Sequence, residues 1–278
     1  LAAAHAQHQQ LAQQKADLDT QAEELRRSNA ELEQFAYVAS HDLQEPLRKV
    51  ASFCQLLEKR YGDKLDERGA QYIAFAVDGA KRMQVLINDL LTFSRVGRVS
   101  DDHVRVDLDQ QLDKALANLA AAIDESGARV ERPENLPEIT GDPTLLTMLW
   151  QNLLGNAIKF RHPDRTPVLQ ITCERDEGDQ DGPGSWTLCV ADNGIGIDPE
   201  FAEKVFVIFQ RLHGRDVYTG TGIGLAVCKK IVEYHGGRIW IDTEHTEGTR
   251  FCFTVPALPD EEPEAPAPAD TDLEGAPA

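Results

Sequence analysis

The sequence has 278 residues, enough for one large domain or two ordinary ones, and 41% of them are apolar, so part of the chain can bury a sizeable core. Lys and Arg number 28 against 47 Asp and Glu, a formal net charge of -19, which argues against a nucleic-acid binder and against docking on anionic lipid. The five cysteines (54, 173, 189, 228 and 252) are odd in number and form no CxxC pair, so small buried thiols in a reducing compartment are expected rather than a disulfide framework or zinc site.

No apolar run reaches the roughly 20 residues that span a bilayer, and no signal peptide is expected within these residues. The chain opens on Leu1, not Met, so it is expected to be an excised fragment, with membrane attachment of the parent left open. Leu11, Leu18, Leu25 and Leu32 recur every seven residues among polar neighbours, the spacing of a coiled-coil seam. With the leucines at d, the a positions are Lys15, Ala22 and Asn29, two of them polar, which weakens the coil and helps fix its register. A lone amphipathic surface helix is the alternative.

That register places His41 at f, facing solvent, and the helical pattern continues through Phe35, Val38, Leu47, Val50, Phe53 and Leu57. Pro46 should kink it. Residues 60 to 69 read as a loop, and a second helix is predicted from about Asp66 to Val96, with Tyr72, Phe75, Ala76, Met83, Leu86, Ile87 and Leu90 on its apolar face. Two long helices with a short connection make an antiparallel hairpin. A second copy would cover its open apolar stripe, giving a dimeric four-helix bundle.

From about Val104 the elements shorten. Leu108 to Ile123 is predicted helical, Glu138 to Thr140 a strand, and Pro143 to Phe160 a helix capped by Asp142. Val168 to Cys173, Trp186 to Ala191, Arg238 to Asp242 and Arg250 to Val255 are strand candidates, with a hairpin loop over 176–185. Helices segregated from an antiparallel sheet predict an α+β sandwich. The predicted organisation is a coiled-coil signalling helix over 1–34, a helical hairpin over 35–99, an α/β domain over 100–258 and a disordered acidic Pro/Ala-rich tail over 259–278.

Three stretches carry chemistry. In GTGIGLAVCKKIVE (220–233), glycines at 220, 222 and 224 let a loop pass close to a ligand and open a helix whose N–H groups face a phosphate. Alone, that spacing fits a plain turn into a helix almost as well. In ADNGIGI (191–197), Asp192 follows a strand and precedes a close-approaching glycine loop, where a carboxylate can accept from an exocyclic amine such as adenine's. An Asp-Asn-Gly turn is the other reading. In QNLLGNAIKF (151–160), Asn152, Asn156 and Lys159 share one helix face, offering amide oxygen to a hard cation and positive charge to phosphate. Lone asparagines on helices are usually just solvated.

Taken in order, these segments resemble the histidine kinases of two-component systems, whose catalytic domain belongs to the same ATPase superfamily as gyrase and MutL. QNLLGNAIKF resembles the family's N-box, DNGIGI its first glycine box, VFVIFQRL (205–212) its F-box and GTGIGL its second glycine box. The resemblance implies ATP and Mg2+ as cofactors. It implies that Asn156 coordinates magnesium, Asn152 and Lys159 serve the phosphates, Phe160 lines the site and Asp192 binds the adenine amine. Gly194, Gly196, Gly222 and Gly224 would shape the pocket, with Ile197, Thr221, Leu225 and Thr249 completing it. Residues 206–221, including Arg211, His213 and Arg215, would form a mobile lid.

FAYVASHDLQEPL (35–47) resembles the family's H-box, which makes His41 the phosphorylated residue and Asp42 its neighbouring acid. Imidazole nitrogen is a competent nucleophile near neutral pH. His5 and His8 read as coil residues, His103, His162, His235 and His245 as surface or loop residues, and His213 as part of the lid. Glu45 stands where many members carry Thr or Asn, within a DLQEPL variant of kinases fed by phytochrome, PAS or GAF sensors. The resemblance further implies a homodimer, an upstream sensor domain, a response-regulator receiver domain as partner, and a cytoplasmic fragment. A superfamily clamp driven by ATP without protein phosphorylation, and a non-enzymatic scaffold, are the rival readings. The H-box weighs against the first and the intact Asn156, Asp192 and glycines against the second.

Overall fold

Three aspartates set the starts of three helices by accepting backbone N–H bonds that the first turn leaves unpaired. Asp66 accepts from Gly69 at 2.7 Å, Asp107 from Asp109 and Gln110 at 2.9 and 3.4 Å, and Asp142 from Thr144 and Leu145 at 2.7 and 3.1 Å. A computed structural model of the chain describes residues 2–97, 104–176, 184–212, 218 and 220–258.

The first 60-residue helix, α1 (Ala2–Tyr61), has Pro46 inside it. The predicted kink does not end the element: helical hydrogen bonding continues past Pro46, whose missing N–H costs one bond. After a 3-10 turn at Gly62–Lys64, the Asp66 cap starts α2 (Glu67–Arg95), which returns along α1. Gln44 Nε2 donates to Asn88 Oδ1 at 2.7 Å across the pair. Outward, Val50, Phe53, Leu57, Tyr72, Phe75 and Met83 remain exposed. Of the heptad leucines, Leu18 is exposed, and the side chains of Leu11, Leu25 and Leu32 lie outside the description.

Beyond the hairpin come β1 (Val104–Asp107), α3 (Leu108–Asn118), α4 (Ala120–Ser126), β2 (Arg129–Glu131), β3 (Glu138–Gly141) and α5 (Pro143–Lys159). They are followed by β4 (Val168–Asp176), β5 (Ser185–Asp192), α6 (Gly224–Tyr234), β6 (Ile239–Ile241) and β7 (Arg250–Pro256). Strands β1 and β3 form a small ladder, and the main sheet has the order β2-β4-β5-β7-β6. The sheet is mixed rather than antiparallel as predicted, because β2 runs parallel to β4. A parallel partner needs a crossover, and the segment holding β3 and α5 provides it. Neither β1 nor β2 was among the predicted strands; at four and three residues they are too short to show an alternation. The hairpin loop and the tail predicted for 176–185 and 259–278 fall largely or wholly outside the described residues.

One face of the sheet presents Leu169, Ile171, Leu188, Val190, Phe251 and Phe253 to the helices, alternating as strand geometry requires. Trp150 of α5, fully buried, meets Phe253 edge-on with ring centroids 5.6 Å apart. Emptying such a site costs on the order of 3–5 kcal/mol. His235 is also buried, against the expectation of a surface residue. Its Nε2 accepts the Asp142 N–H at 3.0 Å, so Nδ1 carries the proton and donates to Ile231 O at 2.7 Å. The ring thereby ties the C-terminal turn of α6 to the start of α5.

Cys189 and Cys252 overturn the expectation of free thiols. They lie directly opposite on β5 and β7 and are joined as a disulfide, their Cα atoms 4.1 Å apart. Their separation of 63 residues hides this from the sequence, since only the β5–β7 register brings them together. Cys54, Cys173 and Cys228 are free, and burial pushes the Cys173 thiol up to about 11, with Glu174 and Asp109 adding to it. Among the described residues no helix is long and apolar enough to cross a membrane. Thiol titration of the chain unfolded without reductant is expected to count three of the five cysteines; a count of five would overturn the pairing.

Candidate functional site

Helix α5 is amphipathic in an unusual sense, since its second surface faces a cavity. Leu149, Trp150, Leu153, Leu154 and Ala157 are buried in the core, while Asn152, Asn156 and Lys159 line a cavity of about 250 Å3. Spacings of four and three residues hold those polar groups on one side. Asn152 Nδ2 donates to Met148 O at 3.0 Å, and its Oδ1 lies against Gly224, where an added Cβ would come within 3.0 Å of it. Lys159 Nζ sits 4.4 Å from the centre of the Phe160 ring, which meets the Tyr218 ring at 4.9 Å. Burial, and then the charge of Arg211, hold the Lys159 ammonium below its ordinary pKa.

Strand β5 ends at Asp192, a buried carboxylate in the cavity wall. Its Oδ1 accepts from Gly194 N at 2.8 Å and Thr249 N at 3.1 Å, and its own N–H donates to Thr249 O at 2.8 Å. Burial raises the carboxyl pKa; the two backbone bonds and the nearby His245 partly oppose that. Asn193 fastens the strand end by accepting from Val168 N and donating to Thr166 O, both at 2.9 Å. Gly194 itself does not line the cavity. Its role is close packing: a Cβ there would collide with the Phe160 carbonyl, while Ile195 N donates to that same oxygen at 3.0 Å.

The second glycine loop opens α6 at Gly224, with no side-chain cap on the helix start. Uncapped N–H groups there can take an anion. Gly222 has φ +75° and a Cβ would lie 2.8 Å from Gln210 O, so the loop closes tightly over the F-box segment. Phe209 takes φ 65°, a left-handed conformation uncommon for an aromatic residue, and donates its N–H to Gly222 O at 2.9 Å. Arg211 reaches back to Tyr218 O at 2.7 Å.

The cavity thus gathers nearly all the predicted binding residues: Asn152, Asn156, Lys159, Phe160 and Asp192 on one side. Gly196, Ile197, Arg211 and Thr249 line it as well, as do Thr221, Gly222, Gly224 and Leu225. His213 and Arg215 lie outside the described residues. Asp42, exposed on α1, does not line the cavity, and of His41 the helical backbone alone is described. Sequence reasoning missed Tyr218, Phe251 and, above all, Asp89, which α2 brings into the cavity wall from the hairpin. It also missed His245, whose Nε2 is buried beside Asp192 without a hydrogen-bond partner.

A carboxyl whose pKa rises on folding contributes most stability below the ordinary carboxylate range and loses it as pH climbs through the raised value. Asp192→Asn is therefore expected to melt no lower than wild type at pH 7, with the difference shrinking toward pH 4. Thermal unfolding at both values checks this; a clear loss at pH 7 would mean the charge itself holds the loop.

Residues 141–259 match the histidine kinase-, DNA gyrase B- and HSP90-like ATPase family, and residues 31–98 match the His Kinase A (phospho-acceptor) domain. The chain is 51% identical over 235 residues to cyanobacterial phytochrome A of Nostoc sp., a match covering 84% of this chain and 30% of the relative. It is 48% identical over 243 residues to a phytochrome-like protein of Synechocystis sp., covering 87% of this chain and 31% of that one. The chain therefore spans about a third of the length of these curated relatives. Among solved structures, full-length ShkA in complex with AMPPNP aligns with a TM-score of 0.59 at 26% identity, over 80% of this chain and 45% of that one. With a phospho-acceptor hairpin followed by this ATPase fold, the chain belongs to the histidine kinases.

Proposed function

We propose that the chain is the kinase core of a sensor protein, using ATP to phosphorylate His41 and passing the phosphoryl group to an aspartate of a response-regulator receiver domain. The observation that carries this reading is the position of the cavity against the hairpin. Asp89 lines the cavity, and its neighbour Asn88 accepts from Gln44, three residues beyond His41. A cavity that carries Asn152, Asn156, Lys159 and Asp192 in its wall and sits at the level of an H-box serves phosphoryl transfer to that helix; a clamp without a phospho-acceptor has no use for the arrangement.

In this reading Asp192 takes the adenine amine, Asn152 and Lys159 take phosphate oxygens, and the start of α6 faces the phosphates. The γ-phosphoryl group leaves ADP and bonds to an imidazole nitrogen of His41, while Asp42 accepts or holds the proton of the ring. Such a transfer depends mainly on positioning and charge neutralisation. A magnesium ion fits a site of this composition. Among the described residues no cluster of three His, Cys, Asp or Glu side chains could hold a metal, but magnesium is commonly held by one or two protein oxygens together with nucleotide phosphates. Asn156 would supply that oxygen, and the ion when bound neutralises phosphate charge.

The apolar residues left open on α1 and α2 support a homodimer in which two hairpins form a four-helix bundle. The relatives are about three times the length of the matched region, which supports a further, sensor domain in the whole protein, and its upstream position belongs to the same proposal. A cytoplasmic location belongs to the same proposal. Glu45 is exposed and pairs with Lys49 at 2.7 Å, one turn from His41. Its anionic side chain is a poor substitute for the amide or hydroxyl that orients water in phosphatase-active members.

Incubation with γ-labelled ATP and magnesium is expected to give acid-labile, alkali-stable label in wild type and none in His41→Gln or Asn156→Ala. Label that persists in His41→Gln would show a different acceptor, and ATP hydrolysis without label would favour the clamp. Added to a phosphorylated partner regulator, the protein is expected to accelerate phosphate loss by less than about twofold, since hydrolysis of a phosphoryl group depends on a residue that orients the attacking water. Rapid stimulated loss would overturn that expectation.

A further inference from the structure

The last turns of α2 are seated on the ATPase fold. Lys230 Nζ of α6 donates to Phe93 O at 2.8 Å and lies 4.7 Å from the centre of the Phe93 ring. Val96, just past α2, is buried in the catalytic core. One turn before Phe93, the half-buried Asp89 accepts a hydrogen bond through Oδ2 from the Thr221 hydroxyl at 2.5 Å. Thr221 stands between Gly220 and Gly222 in the loop that leads into α6, and its hydroxyl also accepts from Ile223 N at 3.3 Å.

A threonine hydroxyl has one hydrogen to give. While Asp89 takes it, a phosphate oxygen cannot. The carboxylate also stands in the wall of the cavity that holds the positive charges of Lys159 and Arg211, and a Cβ on Gly220 would lie 2.7 Å from Lys159 Nζ, so ammonium and carboxylate flank the same loop. A polyphosphate brought to that loop gains from Lys159 and is repelled by Asp89, in surroundings where burial strengthens both effects. Desolvation pushes the Asp89 carboxyl pKa up, against the Thr221 hydrogen bond that pulls it down, as expected of an acid enclosed between two parts of the molecule.

We propose that Asp89 is a specificity-determining residue supplied by the hairpin: it competes with nucleotide phosphate for the Thr221 hydroxyl, so the docked hairpin discriminates against nucleotides by phosphate charge. The proposal rests on the nucleotide reading of the cavity given above. By linkage, whatever factor docking takes from triphosphate affinity, bound triphosphate takes from docking. Loading with ATP therefore loosens the hairpin from the Thr221 loop, and a ligand lacking phosphates leaves the contact in place.

Calorimetric titration of the full chain with ATP, ADP and adenosine at fixed magnesium tests this. Asp89→Ala, which removes both the charge and the acceptor, is expected to bind ATP about tenfold more tightly than wild type, ADP less so, and adenosine within about twofold; Asp89→Asn, whose amide oxygen can still take the Thr221 hydroxyl, is expected to fall between Ala and wild type. Asp89→Glu, which keeps the charge, is expected to bind ATP no better than wild type. Equal tightening for ATP and adenosine would show a general loosening of the fold and overturn the competition. Unchanged or weaker ATP binding by Asp89→Ala, or a Glu variant as tight as the Ala variant, would overturn it as well. Wild type and variants that all bind adenosine and ATP, but with the same ratio, remove this proposal alone; folded chains that bind none of the three ligands remove the nucleotide reading with it.

Discussion

A single helix has to satisfy two incompatible surroundings, and the rest of the fold is arranged to let it. One side of α5 buries Trp150, Leu153 and Leu154 against the sheet, and the other sets Asn152, Asn156 and Lys159 in the wall of the cavity. Both ends are held. The Asp142 cap and the His235 ring fix the start, and at the other end the Phe160 carbonyl receives the N–H of Ile195 from the first glycine loop. With the helix pinned in rotation as well as position, its polar residues need no partners among themselves to stay aimed at the cavity. The desolvated Lys159 and Asp192 are then the energetic cost of the site, carried by a core that is well packed on the opposite side of the same helix.

Much of the site was legible in the sequence because its signals are local. Asn152, Asn156 and Lys159 declare a common face through helical spacing, and Asp192-Asn193-Gly194 and Gly222 declare tight backbone through residue type alone. What was not legible depends on which elements meet. Asp89 looks like any helix acid until α2 docks and brings it to Thr221, 132 residues away. Cys189 and Cys252 become partners only through strand register. The parallel β2–β4 pair came from a three-residue strand with no room for a periodic signature. His235 and His245 read as surface residues because a histidine carries no mark of burial in its own neighbourhood.

The two parts of the chain differ in how completely they bury themselves. In the α/β part, large side chains such as Trp150, Phe253 and Leu188 are essentially inaccessible. On the hairpin, Phe53, Tyr72 and Phe75 each keep more than 60% of their surface open. A hydrophobic gain of roughly 25 cal/mol per Å2 is thus largely realised in one part and still outstanding in the other. The two parts nevertheless share a seam at the end of α2, where Val96 enters the core and Lys230 holds the Phe93 carbonyl. That seam joins an element with incomplete burial to one that is closed.

The bond between Cys189 and Cys252 has a topological consequence for everything that lies between them. It closes a covalent ring containing both glycine loops, the F-box segment and all of α6, with its two ends fixed side by side on the middle strands of the sheet. A ring of this size removes on the order of 4 kcal/mol of freedom from the unfolded chain in the chain-entropy description. Within the folded molecule its effect is containment. Its two anchors cannot separate from each other, so strands β5 and β7 stay joined at that point whatever happens to the chain between them.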